Sequence, residues 1–145
     1  MFLHEIIKGA DPAHAVFEGE SRVTYGELEQ DLRQYRNCLY HMGVGRGDRV
    51  ALYSSNRPEF VYVYLAVVSL GAIIIPVNNS LVDREVDYII RDAGAKLLVT
   101  DTALEVSCPS IDIHDLDFQA SRDTCPEAPQ FPEDITEDDV CALVY

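Results

Sequence analysis

Residues 49–100 read RVALYSSNRPEFVYVYLAVVSLGAIIIPVNNSLVDREVDYIIRDAGAKLLVT, and this stretch decides the fold. Continuously apolar runs predict three strands, at 49–54, 72–77 and 96–100. Such runs are typical of parallel strands that helices cover on both faces. The intervening patterns predict helices over 56–70 and 83–93. The sequence therefore predicts an α/β fold built on a parallel β-α-β-α-β unit with right-handed crossovers.

Capping residues mark the ends of these two helices. Asn56, Pro58 and Glu59 supply an N-cap, a first-turn proline and an acid near the start of the first helix. Gly71 and Gly94 follow the two helices, where a left-handed residue closes the last turn. These signals favour helix over strand.

The longest uncharged run covers residues 60–82, and its 23 residues could in principle cross a bilayer. Gly71 and Pro76 interrupt the run, and residues 78–80 make its end polar. We therefore predict a buried helix followed by a buried strand, and no transmembrane span.

The residues before this unit predict a short helix at 2–8 and a small N-terminal hairpin. Two extended runs, 14–17 and 22–24, flank the turn-like residues 18–21. Thr24 and Glu27 form a capping box that starts a helix. The helix places apolar residues three and four positions apart, at Tyr25, Leu28, Leu32, Tyr35, Leu39 and Met42, and ends at Gly43.

Charge divides the chain unevenly. The 145 residues include 11 Lys+Arg and 25 Asp+Glu, a net charge of -14 that disfavours binding to nucleic acid or anionic membrane. Residues 112–139 hold ten acids, three prolines and a single base, Arg122. We therefore predict an α/β subdomain at 1–111, an acidic extended connector at 112–139 and an apolar core strand at 140–145.

The cysteines indicate a reducing compartment. They are 70, 17 and 16 positions apart, without the close pairs of a zinc site: Cys38, Cys108, Cys125 and Cys141. The N-terminus MFLHEIIK contains an acid at position 5 and no apolar stretch of secretory length. We expect reduced thiols and a cytoplasmic protein.

The glycine-rich stretch GVGRGD at 43–48 superficially suggests a phosphate loop. It follows a helix and opens a strand, whereas phosphate loops follow a strand and open a helix. We interpret it as a helix end plus a tight turn.

Acids and histidines offer further candidates, each with a simpler interpretation. Asp101 follows a strand, as in a phosphoacceptor module, but the metal-binding partners of such a module are missing and a turn fits better. A second candidate, for metal binding, is the group Asp112, His114, Asp115 and Asp117. It lacks the ligand spacing and the turn glycine of a calcium loop, so a solvated acidic linker fits better. Three histidines lie apart from any recognisable nucleophile: His4, His14 and His41.

Ligands of open α/β sheets bind beyond the carboxyl ends of the strands. Here those positions are 54–56, which read Ser-Ser-Asn, and 77–79, which read Val-Asn-Asn. Caps and turns are the competing interpretation. One hypothesis is therefore a complete small α/β binding or interaction module without catalysis, whose ligand contacts 54–56 and Asn78.

A second hypothesis rests on a series of ordered segments. They are VTYGEL at 23–28, GV at 43–44, GDRVAL at 47–52, NRPEF at 56–60, YLA at 64–66, GA at 71–72, PVN at 76–78, Glu85 with YI at 88–89, AKLL at 95–98 and DVCALVY at 139–145. Their order and spacing resemble the N-terminal part of the adenylate-forming (AMP-binding) superfamily. That superfamily includes acyl-CoA synthetases, aryl-acid ligases, luciferases and peptide-synthetase adenylation domains.

The resemblance implies an N-terminal fragment of an AMP-forming acyl-CoA synthetase that uses ATP, Mg and CoA. A fatty or other carboxylic acid would attack the α-phosphate of Mg-ATP, and the CoA thiol would then displace AMP from the acyl-adenylate. In that family, the strand resembling 140–145 leads into a Ser/Thr/Gly-rich phosphate loop. We therefore expect the catalytic, cofactor-binding and metal-binding residues beyond Tyr145, and assign none within this chain.

The same reasoning gives two expectations for the chain by itself. It should bind no cofactor and be inactive alone. It should also self-associate, because a truncated subdomain exposes core surfaces that further residues would cover.

Overall fold

The computed structural model describes residues 1–17, 19 and 22–145. The strands are β1 (Ala15–Phe17), β2 (Val23–Thr24), β3 (Arg49–Tyr53), β4 (Ile73–Val77), β5 (Leu97–Thr100) and β6 (Ser110–Asp112). The helices are α1 (Tyr25–His41), α2 (Pro58–Ser69), α3 (Asp83–Ala93) and α4 (Ile113–Ser121).

The N-terminal hairpin is confirmed, since β1 and β2 pair in antiparallel fashion. Three residues of its predicted turn, Glu18, Glu20 and Ser21, lie outside the described residues. The helix predicted at 2–8 is shorter than expected and consists of a 3-10 turn at Leu3–Glu5.

The capping box before α1 is also confirmed. Thr24 Oγ1 accepts a hydrogen bond from the Glu27 backbone N–H at 3.2 Å. The Glu27 side chain accepts in return from the Thr24 backbone N–H at 2.8 Å. This reciprocal pair satisfies two N–H groups that the first helical turn leaves without partners.

The main sheet is parallel and has the strand order β4-β3-β5-β6. Val50 and Leu52 of β3 pack into a core formed with α1, α2 and α4. Ala51 and Tyr53 pack into a second core formed with α3. Because both faces are buried, the central strands are apolar at residues 50–53, 73–77 and 97–99, as the sequence predicts.

The helix boundaries follow the predicted caps with one exception. Gly71 and Gly94 adopt φ values of +71° and +65° after α2 and α3, as predicted. The N-cap of α2 is Arg57 rather than Asn56, so that prediction is wrong by one residue. Pro58 is the first helical residue, and its fixed φ sets where the helix begins.

The prediction of an extended connector is wrong for residues 113–121, which form α4. Three buried residues share the face of α4 that contacts α1: Ile113, Leu116 and Ala120. Asp112 caps the helix by accepting from the His114 backbone N–H at 2.8 Å. The helix forms because this apolar stripe gains burial against α1, which outweighs the unfavourable density of acids.

The segment 140–145 pairs less extensively than a core strand. It meets the outer edge of β4 at one parallel bridge, between Ile74 and Ala142. The Ile74 N–H donates to the Cys141 carbonyl at 3.0 Å, and the Leu143 N–H donates to the Ile74 carbonyl at 2.9 Å. Val144 is 80% exposed, because nothing among the described residues covers the outer side of this segment.

The uncharged run 60–82 divides between α2 and β4, which confirms the predicted helix and strand. Across the residues that the structure describes, no helix has the length and apolar character needed to span a bilayer.

Candidate functional site at the carboxyl edge of the sheet

The ends of β3 and β5 lie side by side, since Tyr53 pairs with Thr100. The chain leaves β3 towards β4 and leaves β5 towards β6, in opposite directions across the sheet. In open α/β sheets, such a reversal opens a crevice in which ligands commonly bind. The residues that follow these two strands are therefore the first candidates for a functional site.

Asp101 is the centre of this edge. Its Oδ2 accepts hydrogen bonds from the Ser55 backbone N–H at 2.9 Å and from Ser55 Oγ at 2.6 Å. Ser54 Oγ lies 3.3 Å from the same oxygen. Burial opposes ionisation of the carboxyl, but the serine hydrogen bonds and the charge of Arg57 outweigh it and lower the pKa of Asp101.

Arg57 connects the turn after β3 to α4. One terminal guanidinium nitrogen is 3.2 Å from His114 Nε2 and 3.9 Å from Asp101 Oδ2. The Nε–H donates to Glu59 at 3.1 Å. We call Ser54, Ser55, Arg57, Asp101 and His114 the carboxyl-edge cluster. Its charges are paired with one another, so it holds the β3–α2 turn in place.

The second candidate segment, 77–79, forms a turn of its own. Asn78 Oδ1 accepts from the Ser80 backbone N–H at 2.9 Å. Tyr53 Oη donates to the Asn79 carbonyl at 2.8 Å, which ties the turn to β3. These contacts are those of a structural turn.

The glycine-rich stretch 43–48 lies before β3, at the amino end of the sheet and away from this cluster. Gly43 has φ +93°, and the Val44 N–H donates to the Leu39 carbonyl at 3.0 Å. Asp48 Oδ2 accepts from the Gly45 N–H at 2.9 Å and from Lys96 Nζ at 3.0 Å. The prediction of a helix end plus a tight turn is confirmed.

The remaining sequence candidates have separate structural roles. Asp117 accepts a hydrogen bond from Tyr35 Oη at 2.5 Å, between α4 and α1. His4 packs against Phe131 with ring centroids 4.4 Å apart, and burial lowers its pKa. Within residues 1–17, 19 and 22–145, no three His, Cys, Asp or Glu side chains form a group that could hold a metal ion.

Sequence reasoning considered 54–56 and Asp101 separately and did not predict their contact. The contact depends on β3 and β5 being neighbours, although β4 lies between them in the chain. The sequence signal that could have indicated this contact is that residues 54–56 and Asp101 each directly follow a predicted strand.

Comparison with known proteins identifies the fold. The sequence profile of the family described as "AMP-binding enzyme" matches residues 6–145. This chain belongs to the AMP-binding enzyme family. Family membership confirms the resemblance that the ordered segments suggested.

Curated relatives of this AMP-binding family chain include CoA ligases. The crotonobetaine/carnitine–CoA ligase of Escherichia fergusonii is 39% identical over 80 residues. The corresponding ligase of Escherichia coli O1:K1 is 38% identical over the same length. Each match covers 55% of this chain and 16% of the relative, so the chain spans only a small part of these ligases.

Solved structures share the architecture. The N-terminal subdomain of Klebsiella oxytoca NpsA matches with a TM-score of 0.82 and 22% identity, over 96% of this chain and 36% of that chain. The O-succinylbenzoate coenzyme A synthetase of Bacillus subtilis, solved with AMP, matches with a TM-score of 0.71 and 26% identity, over 80% of this chain and 31% of that chain. The fold is that of the N-terminal subdomain of adenylate-forming enzymes.

Proposed function

We propose that this chain is the N-terminal part of an AMP-forming acyl-CoA ligase that activates a fatty or other carboxylic acid. The supporting observation is the family match over 6–145, together with 38–39% identity to CoA ligases over 80 residues. We place the protein in the cytoplasm, in keeping with its four free cysteines.

The proposed reaction of the whole protein has two steps. The substrate carboxylate attacks the α-phosphate of ATP, which gives an acyl-adenylate and releases pyrophosphate. The thiol of CoA then attacks the acyl carbon, forms the thioester and displaces AMP. Both steps need N–H donors or cations against phosphate charge, and a pocket that shields the adenylate from water.

The described residues of this chain do not fit the role of a metal centre, because they contain no cluster of metal ligands. Asp101, the best-placed carboxylate, already accepts hydrogen bonds from both serines and lies beside Arg57. We therefore assign no magnesium ligand and no catalytic step to these residues.

The contribution that we propose for this chain is structural. Its two-faced sheet positions the segment 139–145 beside β4, through the bridge between Ile74 and Ala142. The resemblance described above implies that, in adenylate-forming enzymes, the corresponding strand precedes the phosphate loop. A rigid sheet at this point would fix the direction in which that loop leaves.

Pyrophosphate exchange tests this proposal. The protein expressed from the complete reading frame should exchange pyrophosphate into ATP only when a suitable carboxylic acid is present, and should release AMP when CoA is added. The 145-residue chain should show no exchange, and calorimetry should detect no binding of ATP with Mg.

Three outcomes would contradict the proposal. Exchange by the 145-residue chain alone would refute its structural role. Nucleotide binding by the chain without turnover would instead favour a self-contained binding module. A complete protein that is folded but inactive with a broad panel of carboxylic acids would refute the ligase assignment.

A further inference from the structure

Two cysteines that are 87 residues apart in the sequence meet between α1 and the segment after α4. The Sγ atoms of Cys38 and Cys125 are 3.1 Å apart. A disulfide bond is about 2.05 Å long, so bond formation needs a movement of only about 1 Å. Cys38 is 2% exposed, whereas Cys125 is partly accessible to solvent.

The contact is held by the residues around it. We call residues 122–129, which follow α4, the α4 tail. Arg33 of α1 binds Asp123 at 3.2 Å and Glu127 at 2.6 Å. Asn37, which is buried, accepts from the Ala128 backbone N–H at 2.9 Å. These contacts lie on both sides of Cys125 in the sequence, so they hold its sulfur against α1 before any bond forms.

We propose that Cys38 and Cys125 are a reversible redox site that forms a disulfide and fastens the α4 tail to α1. The oxidant is a small disulfide of the oxidised-glutathione class. In cells with reduced thiols, protein disulfides are usually transient and redox-sensing, which fits a pair that is close but unbonded.

The geometry sets the order of the two exchange steps. Cys125, the accessible thiol, loses its proton and attacks one sulfur of oxidised glutathione, which forms a mixed disulfide and releases one glutathione thiolate. Cys38 then loses its proton and attacks Cys125 Sγ, releasing the second glutathione. The two cysteines lose two electrons and two protons in total, and oxidised glutathione is reduced to two thiols.

Burial and the hydrogen bond with Cys125 raise the pKa of Cys38 to about 12. A thiol with so high a pKa is rarely ionised at neutral pH, so it makes a poor first nucleophile. Its attack becomes effective only after Cys125 carries glutathione, because the target sulfur is then already in contact.

Disulfide mapping tests the proposal. The 145-residue chain is incubated with oxidised glutathione, quenched with N-ethylmaleimide, digested and examined by mass spectrometry. The link between Cys38 and Cys125 should form at least about tenfold faster than any other pair, since its sulfurs are held in contact. In urea, this preference should disappear.

Variants separate the pair from the other two thiols. Cys125→Ser should abolish the link and leave Cys38 unmodified, while Cys108→Ser should leave the link intact. The test relies on Cys125→Ser rather than Cys38→Ser, because Cys38 is buried and its replacement could disturb folding. A folded chain in which glutathione remains on Cys125, or in which the link forms no faster than in urea, would overturn the proposal.

Discussion

Replacing Asp101 with asparagine tests whether the carboxyl-edge cluster stabilises the fold. Asparagine preserves the size of the side chain but removes the charge. The carboxylate accepts two hydrogen bonds from Ser55, at 2.9 Å from the backbone N–H and 2.6 Å from Oγ, and is 17% exposed. We expect Asp101→Asn to lower the free energy of unfolding, because a neutral amide oxygen is a weaker acceptor.

The size of the effect follows from these contacts. A hydrogen bond to a charged group contributes about 1.5–3 kcal/mol and a neutral one about 0.5–1.5 kcal/mol, so each Ser55 bond loses about 1 kcal/mol. Ser54 adds little, because its hydroxyl is also 3.0 Å from the Ser55 carbonyl. The expected loss is about 2 kcal/mol, or a Tm lower by about 6 °C for a domain of this size.

The loss should depend on pH in a defined direction. Because the pKa of Asp101 is lowered in the folded state, its stabilising effect is fully present above the unfolded pKa of about 3.9. The effect is lost as the pH falls through the folded pKa. The difference between wild type and Asp101→Asn should therefore be constant from about pH 5 to 8 and shrink below about pH 4.

Urea denaturation followed by circular dichroism measures this difference, with Asp138→Asn as the matched control. Asp138 is exposed, and its replacement should change the free energy of unfolding by less than about 0.5 kcal/mol. Equal stability of the two variants at pH 7 would refute the reasoning. So would an Asp101→Asn deficit that persists undiminished at pH 3.

Three further measurements probe other parts of the structure. Thr24→Ala should reduce the free energy of unfolding by about 1 kcal/mol in urea titrations, through loss of the N-cap of α1; no change would mean that the capping box is not formed. Gly71→Ala should lower the free energy of unfolding by about 2 kcal/mol, because φ is +71° and a Cβ would lie 2.6 Å from Ile135 Cδ1. The control is Gly9→Ala, at φ +81° with nothing within 4 Å of the new Cβ, which should lower the free energy of unfolding by only about 1 kcal/mol. If the two variants lose the same free energy of unfolding, the contact with Ile135 plays no role. Sedimentation velocity should show self-association that Val144→Asp weakens, since Val144 is 80% exposed, whereas a monomer at high concentration would contradict this expectation.

The central β3-α2-β4-α3-β5 unit could be predicted because its signals are local. Pro58 fixes the start of α2, and Gly94 closes α3 with a left-handed φ. Continuously apolar strands between such caps have few other ways to bury their side chains. The predicted strands and helices accordingly agree with the structure to within about two residues.

The sequence did not predict α4, because its signal is masked by charge. Ile113, Leu116 and Ala120 have helical spacing, but several acids lie among them. Whether such a segment folds depends on the apolar surface that α1 offers to it, and composition alone contains no information about that surface.

Contacts that depend on the order of the strands in the sheet also could not be predicted from the sequence. The hydrogen bonds between Asp101 and Ser55 need β3 beside β5, and the meeting of Cys38 with Cys125 needs α4 packed on α1. Each joins residues that are at least 46 positions apart, with no shared motif to connect them. The candidate site is therefore a product of topology.

The burial of β3 on both faces has a consequence for how this subdomain misfolds. Sliding β3 by one residue would exchange Leu52 with Ala51 or Tyr53 between the two cores, yet both faces would stay apolar. Hydrophobic patterning alone therefore does not oppose the slip. In a sheet with one solvent-exposed face it would, because the slip would turn apolar side chains towards water. Correct alignment depends on side-chain volume and on the Tyr53 hydroxyl, which reaches the Asn79 carbonyl. A slipped chain would remain collapsed and would bind hydrophobic dyes about as much as the correctly aligned chain, so amide hydrogen exchange would be the technique that distinguishes the two.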